Sequence, residues 1–400
     1  MRPGVLHLVS SFHTGGSERQ AVQVARLLKE SGRFDVHFAS LDSSGVLRAE
    51  VERLGLAEIP EYPLSSFYDV NMMRQLRRFA RLLVERRIDV VQTHDFYSNI
   101  FGMISATLAR VPVRIAARRE TTGWRSAAQK RVERMAYRLA HAVIVNAEAV
   151  RQQLISEGAQ AHKIEVVYNG LDLERIRQPA NSTREEILSS LGLPDEPDNR
   201  FVTIIANLRH AVKDHPTFLR AACRTHQAYP RSRFILVGEG ELTQAMREMA
   251  GQLGIADQTY FIGHSERVAE LLAVSDVCVL SSQAEGFSNS ILEYMAAARP
   301  AVVTDVGGAR EAITDGVTGF IVPAGDDRLM AERITLLLKE AEQAREMGRR
   351  ARLVVEEKFS CRAQLERTTA LYHRLLAPRS RLTHRPLHHI VTLFTKPDGE

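Results

Sequence analysis

Short runs rich in β-branched residues alternate with longer amphipathic stretches along nearly the whole chain, and this alternation limits the possible folds more than any other feature. In the first half the runs are VLHLVS (5–10), FDVHFASL (34–41), IDVVQT (88–93), VRIAA (113–117) and AVIVN (142–146). A helical pattern from Ser17 to Glu30 follows the first of them. Strands that alternate with helices of about 10–15 residues predict parallel sheets with helical crossovers. Near-continuous apolar strands fit sheets that are covered on both faces.

The alternation pauses near residues 170–199, where an Asn-Gly turn and three prolines lie among polar residues, and then starts again. The later runs are RFVTIIAN (200–207), RFILVG (233–238), TYFIG (259–263), DVCVLS (276–281) and PAVVT (300–304). We therefore predict an α/β protein with two Rossmann-like, doubly wound domains that face a central cleft. The expected divisions are residues 1–175, a linker at 176–199 with a short helix, residues 200–360, and residues 361–400, where a last helix crosses back to the first domain before a basic tail.

Length and composition fit the prediction of two domains. The 400 residues, 44% of them hydrophobic and 25% charged, exceed what one ordinary core holds. No apolar run approaches the roughly 18 residues of a membrane span, and the N-terminus lacks the features of a signal peptide. The three cysteines show no metal-ligand spacing, which predicts a cytoplasmic protein with inert thiols. For the histidines of the tail we expect flexible chain rather than a metal site: His384, His388 and His389.

A glycine pair follows the first predicted strand, in SSFHTGGSERQ (10–20). Gly15 and Gly16 would let the backbone approach a ligand without an intervening Cβ. Ser17 and Gln20 form a capping-box pattern, which predicts a helix that begins near Ser17 and offers its first N–H groups to a diphosphate or a sugar hydroxyl. The glycine fingerprint of NAD and FAD enzymes is missing, which counts against an oxidoreductase. The simpler alternative is a turn that only joins strand to helix.

Polar residues also follow two other predicted strands. His94, after IDVVQT, would face the same cleft as the glycine pair and could position a substrate hydroxyl, although loop histidines are often ordinary turn residues. Asn207, Arg209 and Lys213 lie between the first strand and first helix of the second domain, where cations suit a diphosphate. They could also stabilise a leaving nucleoside diphosphate. The alternative for these cations is a solvated loop.

Two glutamates flank a possible helix start in SSQAEGFSNSILEYMAAARP (281–300). In the modest interpretation, Ser290 and Glu293 form a capping box and Glu285 is a loop residue. In the sharper one, N–H groups near Gly286 and Phe287 point at a ligand, and the two carboxylates accept hydrogen bonds from its diols. A nucleotide sugar carries two such diols, one on the hexose and one on the ribose.

The E-x7-E pattern, followed by YMAAARPAVVTDVGGARE, resembles the signature of retaining GT-B glycosyltransferases of family 4. VGEGEL (237–242), YFIGHSERVAELLAVSDVCVLSS (260–282) and TDGVTGFIVPAGD (314–326) are similar to family segments in order and spacing. So are GGSE (15–18) and VVYNGLD (166–172). The resemblance spans roughly residues 5–375 and implies a GT-B architecture in which the second domain binds a nucleotide sugar.

The resemblance also implies roles for individual residues. Glu285 would contact the donor hexose, Glu293 would hold the ribose diol, and Lys213 with Arg209 would neutralise the diphosphate. These implied catalytic residues are joined by His94, beside the donor sugar. The remaining donor contacts are implied at Gly15, Gly16, Asn207, Gly238, Ile262, Gly263, His264, Gly286, Phe287, Ser288, Asn289 and Ser290. No metal or cofactor is expected, because family members commonly need none.

Three positions depart from the family pattern, which usually has arginine at Asn207, alanine at Tyr294 and glycine at Ala298. The implied activity is transfer of a hexose-type sugar, with retention, from a UDP- or GDP-linked donor to a hydroxyl of a glycan or lipid-linked acceptor in bacterial surface polysaccharide or glycolipid synthesis. We expect a front-face reaction in which the leaving phosphate helps to deprotonate the acceptor, with a covalent intermediate as the alternative. A nucleotide-sugar epimerase and a catalytically silent binding partner are the rival functions.

Residues 110–140 carry nine Lys and Arg residues against two glutamates. Val132, Met135, Ala136 and Leu139 recur at helical spacing, which predicts an apolar face opposite the arginines. Such a helix could lie on the anionic inner leaflet of a membrane and bring the enzyme to a lipid-linked acceptor. A solvated face is the alternative, and nucleic acid is a poorer partner because aromatic platforms are missing.

Overall fold

The computed structural model of the chain describes residues 2–13, 15–56, 58–66, 69–121, 125–177 and 182–377. The predicted basic tail and its histidines lie outside the described residues. Two sheets of six parallel strands form the framework, which confirms the predicted pair of α/β domains.

The first sheet is covered by helices on both faces. Its strands are β1 Gly4–Val9, β2 Asp35–Ser40, β3 Ile88–Thr93, β4 Val113–Arg118, β5 Ala142–Val145 and β6 Ile164–Val166, in the order β2-β1-β3-β4-β5-β6. Its helices are α1 Gly16–Glu30, α2 Arg48–Arg53, α3 Val70–Glu85, α4 Phe96–Leu108, α5 Ala127–Leu139 and α6 Glu148–Ser156. The apolar side chains of α1 and α2 pack on one face, and those of α3 to α6 pack on the other.

The second sheet has the strand order β12-β11-β10-β7-β8-β9. Its strands are β7 Arg200–Ile205, β8 Ser232–Val237, β9 Thr259–Gly263, β10 Val277–Leu280, β11 Ala301–Thr304 and β12 Phe320–Val322. The helices of this half are α7 Arg184–Ser190, α8 His215–Ala228, α9 Thr243–Gln252, α10 Val268–Val274, α11 Asn289–Ala296, α12 Ala309–Ala312, α13 Asp327–Lys339 and α14 Ala341–Lys358. Helix α7 lies within the predicted linker, and its Ile187 and Leu188 pack in one apolar cluster with Phe201 and Leu271.

The last described helix, α15 Cys361–Leu376, packs against α1. The side chain of Gln364 donates to Gln20 at 2.8 Å, and the buried hydroxyl of Tyr372 donates to Gln92 on β3. The chain returns to the first domain next to the segment by which it left that domain: the Leu171 N–H donates to the Phe359 carbonyl at 2.7 Å. The first domain is therefore completed by a helix from the far end of the described chain.

Helix α5 differs from its prediction. Met135 is 60% exposed, whereas Glu133 and Tyr137 are buried beside Ala136. The Glu133 carboxylate accepts hydrogen bonds from Arg125 at 2.7 Å and from the Tyr137 hydroxyl at 2.7 Å, and both bonds satisfy a charge that would otherwise be costly to bury. The inward face of α5 is thus partly ionic, which hydrophobic periodicity alone does not reveal.

Candidate active-site cleft

Each sheet has one point where the strand order reverses. These switch points lie between β1 and β3 in the first sheet and between β7 and β10 in the second. Ligands of doubly wound sheets bind outside the carboxyl ends of the strands at such points. The loops that follow these four strands carry the glycine pair, His94, Lys213 and Glu285. Residues far apart in the sequence therefore gather at the two places where the fold favours a ligand.

At the second switch point, Lys213 and Glu285 form an ion pair. The Lys213 Nζ lies 2.6 Å from Glu285 Oε1, and 21% and 13% of the two side chains is exposed. The Ser282 hydroxyl donates to the same Glu285 oxygen at 2.7 Å, and the Ser281 hydroxyl donates to the Lys213 carbonyl at 2.8 Å. The loops after β7 and β10 are thereby tied together, with one cation and one carboxylate at the edge of the cleft.

Arg209 does not join this pair. Its guanidinium lies 3.2 Å from Glu239 Oε1, and 51% of its side chain is exposed. Asn207, which is also exposed, accepts a hydrogen bond from the Arg209 N–H at 3.3 Å. The structure therefore brings Lys213, and not Arg209, to Glu285.

Four of the implied donor contacts lie together at the ends of β8 and β9: Gly238, Ile262, Gly263 and His264. The Gly238 N–H donates to the Gly263 carbonyl at 2.8 Å. A Cβ on Gly238, whose φ is 144°, would come within 2.1 Å of the Ala206 carbonyl oxygen, so the close approach of the loop after β7 requires glycine. Ile262 is half-buried and His264 is exposed beside this point.

The predicted capping box of α11 is wrong. Ser288 is the N-cap residue and makes no side-chain cap, while the Ser290 hydroxyl donates to the Ile205 carbonyl at 2.8 Å. The carboxylate of Glu293 makes no hydrogen bond or ion pair within the described part of the chain. Burial raises its pKa from 4.5 to about 7, although Arg19 and Arg175 act in the opposite direction. Glu293 is therefore a half-buried residue whose carboxylate has its hydrogen-bonding capacity unused.

The capping box predicted for α1 is also wrong. The helix begins at Gly16, its N-cap Gly15 offers no side chain, and Gln20 is buried against Gln364. The N-cap residue thus supplies no side-chain cap to α1, and the carboxylate of Glu18 hydrogen-bonds its own backbone N–H in the first turn. The positive charge of Arg19, in the first turn of α1, lowers the pKa of Glu293 on α11 and partly offsets the effect of burial.

His94 is buried in the first domain and pairs with a second histidine. Its Nε2 lies 2.9 Å from Nδ1 of His7, and its Nδ1 has no partner within the described residues. Burial lowers the pKa of His94 well below the usual value and that of His7 to about 3, so both rings are neutral. Together with Glu18 and Arg119, His94 lines a cavity of about 370 Å³. A neutral imidazole in this wall can exchange hydrogen bonds with a hydroxyl.

Sequence reasoning missed Arg119 and Asn169 as site residues. The Arg119 Nη1 donates to Asn169 Oδ1 at 2.7 Å, and Asn169 Nδ2 donates to Asn289 Oδ1 of α11 at 2.9 Å. Burial lowers the pKa of Arg119 to about 10, and its Nε has no partner among the described residues. Arg119 follows β4 directly, which was the available signal, but the sequence shows it only as one of nine clustered cations.

The loop that carries Glu285 contacts both domains. The Thr121 hydroxyl donates to the Glu285 carbonyl at 2.6 Å, and a Cβ on Gly286 would come within 1.9 Å of the Arg119 carbonyl oxygen. The ring of Phe287 packs against Tyr168 and Phe359, each at a centroid distance of 5.2 Å. The cleft is therefore closed around this loop.

The structure explains one departure from the family pattern, at Tyr294, and shows backbone strain at another, Ala298. Tyr294 is fully buried, and its hydroxyl accepts from the Ile205 N–H at 2.8 Å and donates to the Val279 carbonyl at 3.1 Å. It joins the ends of β7 and β10 beneath the site. Ala298 has a φ of 54°, a left-handed conformation that favours glycine.

We expect Ala298→Gly to raise the free energy of unfolding by roughly 0.5–1 kcal/mol, because relief of the left-handed strain exceeds the entropy that glycine adds to the unfolded chain. Urea unfolding would measure the change. Ala297→Gly, at a φ of −75°, is the matched control and should be destabilising. A destabilised Ala298→Gly variant would contradict the strain argument.

Two family models match the chain in succession. The model described as Glycosyltransferase Family 4 matches residues 14–175, and the model described as Glycosyl transferases group 1 matches residues 184–354. The chain is 32% identical over 232 residues to an N-acetyl-alpha-D-glucosaminyl L-malate synthase of Bacillus anthracis, covering 57% of this chain and 59% of that one. It is 24% identical over 364 residues to the capsular polysaccharide biosynthesis glycosyltransferase CapM of Staphylococcus aureus, covering 86% of this chain and 90% of that one. In some curated relatives the match thus spans only 50% to 59% of their length.

A solved structure of Anabaena Alr3699/HepE in complex with UDP has the same fold. It superposes with a TM-score of 0.82 at 20% identity and covers 94% of this chain and 100% of that one. Within the described residues no helix is long and apolar enough to cross a membrane, and no group of three or more His, Cys, Asp or Glu side chains is placed to hold a metal ion. The two family matches together span most of the chain, which belongs to the group 1, family 4 glycosyltransferases and has the GT-B fold.

Proposed function

We propose that the chain transfers a hexose-type sugar, with retention, from a nucleoside diphosphate sugar to a hydroxyl acceptor. The Lys213–Glu285 pair carries this proposal, because it lies at the switch point of the second sheet and borders the first domain. A cation at this place can neutralise the charge that develops on the leaving diphosphate. The structural relative that was solved with UDP supports a uridine nucleotide as the first donor to test. The similarity to CapM supports surface polysaccharide synthesis as the setting.

The roles of the site residues follow from their positions. Lys213 binds the diphosphate, Glu285 orients a hexose hydroxyl, and Glu293 accepts hydrogen bonds from the ribose. A covalent intermediate would need a free carboxylate in the first domain. Asp95, beside His94, is not free: its two oxygens accept hydrogen bonds from the N–H and hydroxyl of Ser10, and it caps α4 by accepting the Ser98 N–H at 3.0 Å. We therefore favour front-face transfer, in which the leaving phosphate takes the acceptor proton and the protein supplies alignment and charge.

A nucleotide screen tests the donor site. We expect UDP to raise the melting temperature more than GDP or ADP, since a ligand at 100 times its Kd adds about 2.7 kcal/mol of stability. Glu293→Ala should reduce the shift to about half or less, since a 10-fold weaker Kd leaves about 1.4 kcal/mol at the same UDP concentration. If no nucleotide raises the melting temperature of the folded protein, the donor site does not exist and the chain acts as a catalytically silent binding partner. Formation of a new nucleotide sugar without an acceptor would instead identify an epimerase.

We also propose that the first domain meets the membrane that holds its acceptor. Of the cations at 110–140, Arg118 and Arg125 pair inside the protein with Glu157 and Glu133, at 2.5 and 2.7 Å. The outward side of α3 to α5, here the basic face, carries exposed arginines without a carboxylate partner among the described residues: Arg74, Arg77, Arg81, Arg131 and Arg138. Exposed apolar side chains accompany them: Val70, Met73, Leu108 and Met135. Apolar side chains among arginines suit an anionic bilayer surface.

Reversing two charges of the basic face should weaken vesicle binding. We expect the protein to sediment with vesicles of equimolar phosphatidylglycerol and phosphatidylcholine at low salt, and not with phosphatidylcholine alone. Arg131→Glu/Arg138→Glu should reduce this binding by at least about 10-fold, since each basic residue contributes about 1 kcal/mol. Arg352→Glu, on the exposed side of α14, is the control. Background sedimentation of the parent protein would refute the membrane contact.

A further inference from the structure

Helix α6 takes its N-terminal cap from the other domain. Its N-cap residue, Ala147, has no side chain that can accept a hydrogen bond. The carboxylate of Glu311, on α12 of the second domain, accepts the N–H of Glu148 at 2.7 Å and the N–H of Ala149 at 3.0 Å. Neighbouring helices of the first domain are capped instead by their own residues: Asp69, Asp95 and Ser126.

This contact links the two domains at a point where polarity favours a negative charge. The first N–H groups of a helix are unsatisfied and carry the positive end of its dipole, so a carboxylate that accepts two of them makes charge-assisted bonds. The carboxylate and the N–H groups belong to different domains, so separation of the domains would expose both to water. The contact therefore stabilises the closed arrangement only.

A short path connects Glu311 to the loop that carries Glu285. Helix α12 directly follows Gly307 and Gly308, and the Gly308 N–H donates to the Gly286 carbonyl at 2.8 Å. A Cβ on Gly307 would come within 2.2 Å of the Glu285 carbonyl oxygen. A Cβ on Gly308 would come within 3.0 Å of the Ala147 Cβ. The two glycines thus pack between α6 and the Glu285 loop with no space to spare.

We propose that Glu311 is a positioning residue that clamps α6 to the second domain and thereby holds the Glu285 loop in its closed position. The clamp itself rests on the contacts of Glu311, and only the purpose of the loop rests on the proposed function. Capping of α6 and positioning of the Glu285 loop are two effects of the Glu311 side chain, so an experiment that restores only the cap can tell them apart.

Hydrogen exchange of the full chain without nucleotide tests the clamp. In Glu311→Ala, we expect exchange to become roughly 5- to 30-fold faster both at residues 148–152 and at residues 283–290, as for a loss of one to two kcal/mol. The double variant Ala147→Ser/Glu311→Ala gives α6 a cap of its own. It should restore slow exchange at 148–152 and leave 283–290 fast.

Three results would overturn the proposal. Unchanged exchange in both segments of Glu311→Ala would show that the contact holds nothing. Faster exchange at 148–152 alone would make Glu311 a simple helix cap. Recovery of both segments in the double variant would show that the loop depends on helix stability and not on the link between domains. Because no nucleotide is present, a failed nucleotide screen leaves these outcomes unaffected.

Discussion

Lys213→Met is expected to lower the rate of nucleotide release from the donor sugar by at least about 100-fold, as for loss of a preorganised charge that stabilises a transition state. Glu285→Gln should have an effect of similar size, because it removes the group that orients the hexose. The pair is largely buried, so each single variant also leaves a charge or an acceptor without its partner and should lower the melting temperature. Coupled nucleotide detection and thermal unfolding would measure the two effects separately.

The double variant Lys213→Met/Glu285→Gln separates structure from catalysis. Both charges are then absent, so the melting temperature should recover towards that of the parent protein while turnover stays at the level of the single variants. Arg209→Met is the matched control, since Arg209 is exposed and pairs with Glu239. We expect it to lose less than about 10-fold in rate, the scale of an exposed ion pair. Recovery of turnover in the double variant would show that the pair is structural only.

Glu293→Gln is expected to change stability and nucleotide binding in opposite directions at pH 8. The pKa of Glu293 is raised from 4.5 to about 7 by burial. An acid with a raised folded-state pKa contributes stability that is complete below about pH 4.5 and is lost as the pH rises through 7. At pH 8 the parent protein carries the cost of a buried charge, and the variant should be more stable by about 1–2 kcal/mol after allowance for partial exposure. UDP binding should weaken by at least about 10-fold, because a charged acceptor is lost.

Urea unfolding and calorimetric titration with UDP, each from pH 5 to pH 8, would test this prediction. The stability difference between the variant and the parent should grow across that range. Glu357→Gln, an exposed change on α14, should give a constant difference. A variant that is no more stable at pH 8 than at pH 5 would show that the Glu293 carboxylate is well solvated.

Local pattern predicted the sheets well, since most of the strands are apolar runs of four to six residues between helical stretches. The strands β6 and β12 were missed because three residues at a sheet edge show no period. Both capping boxes failed for a different reason. Gln20 bonds to Gln364, and Ser290 bonds to Ile205, so partners distant in the sequence took the groups that the pattern assigned to local caps.

His94, Lys213 and Glu285 could be predicted as candidate site residues, because each lies in a loop that follows a predicted strand and has a side chain that can bind or carry charge. The sequence could not indicate Asn169 or Glu311, because their contacts depend on how the two domains face each other. The same limit applies to Arg209, whose pairing with Glu239 is decided by the course of two loops. Position along the chain locates the loops, and packing decides which side chains meet.

The return of α15 to the first domain has a consequence for synthesis. The first domain needs Gln364 against Gln20 and Tyr372 against Gln92 before its sheet is covered. These residues leave the ribosome after the whole of the second domain. The first domain is therefore translated first but completes its fold last. Until then its surface under α15 stays open, and the second domain can fold with no such delay. A fragment that ends before α15 should therefore expose apolar surface on the first domain alone, which makes that half the one that chaperones would have to protect.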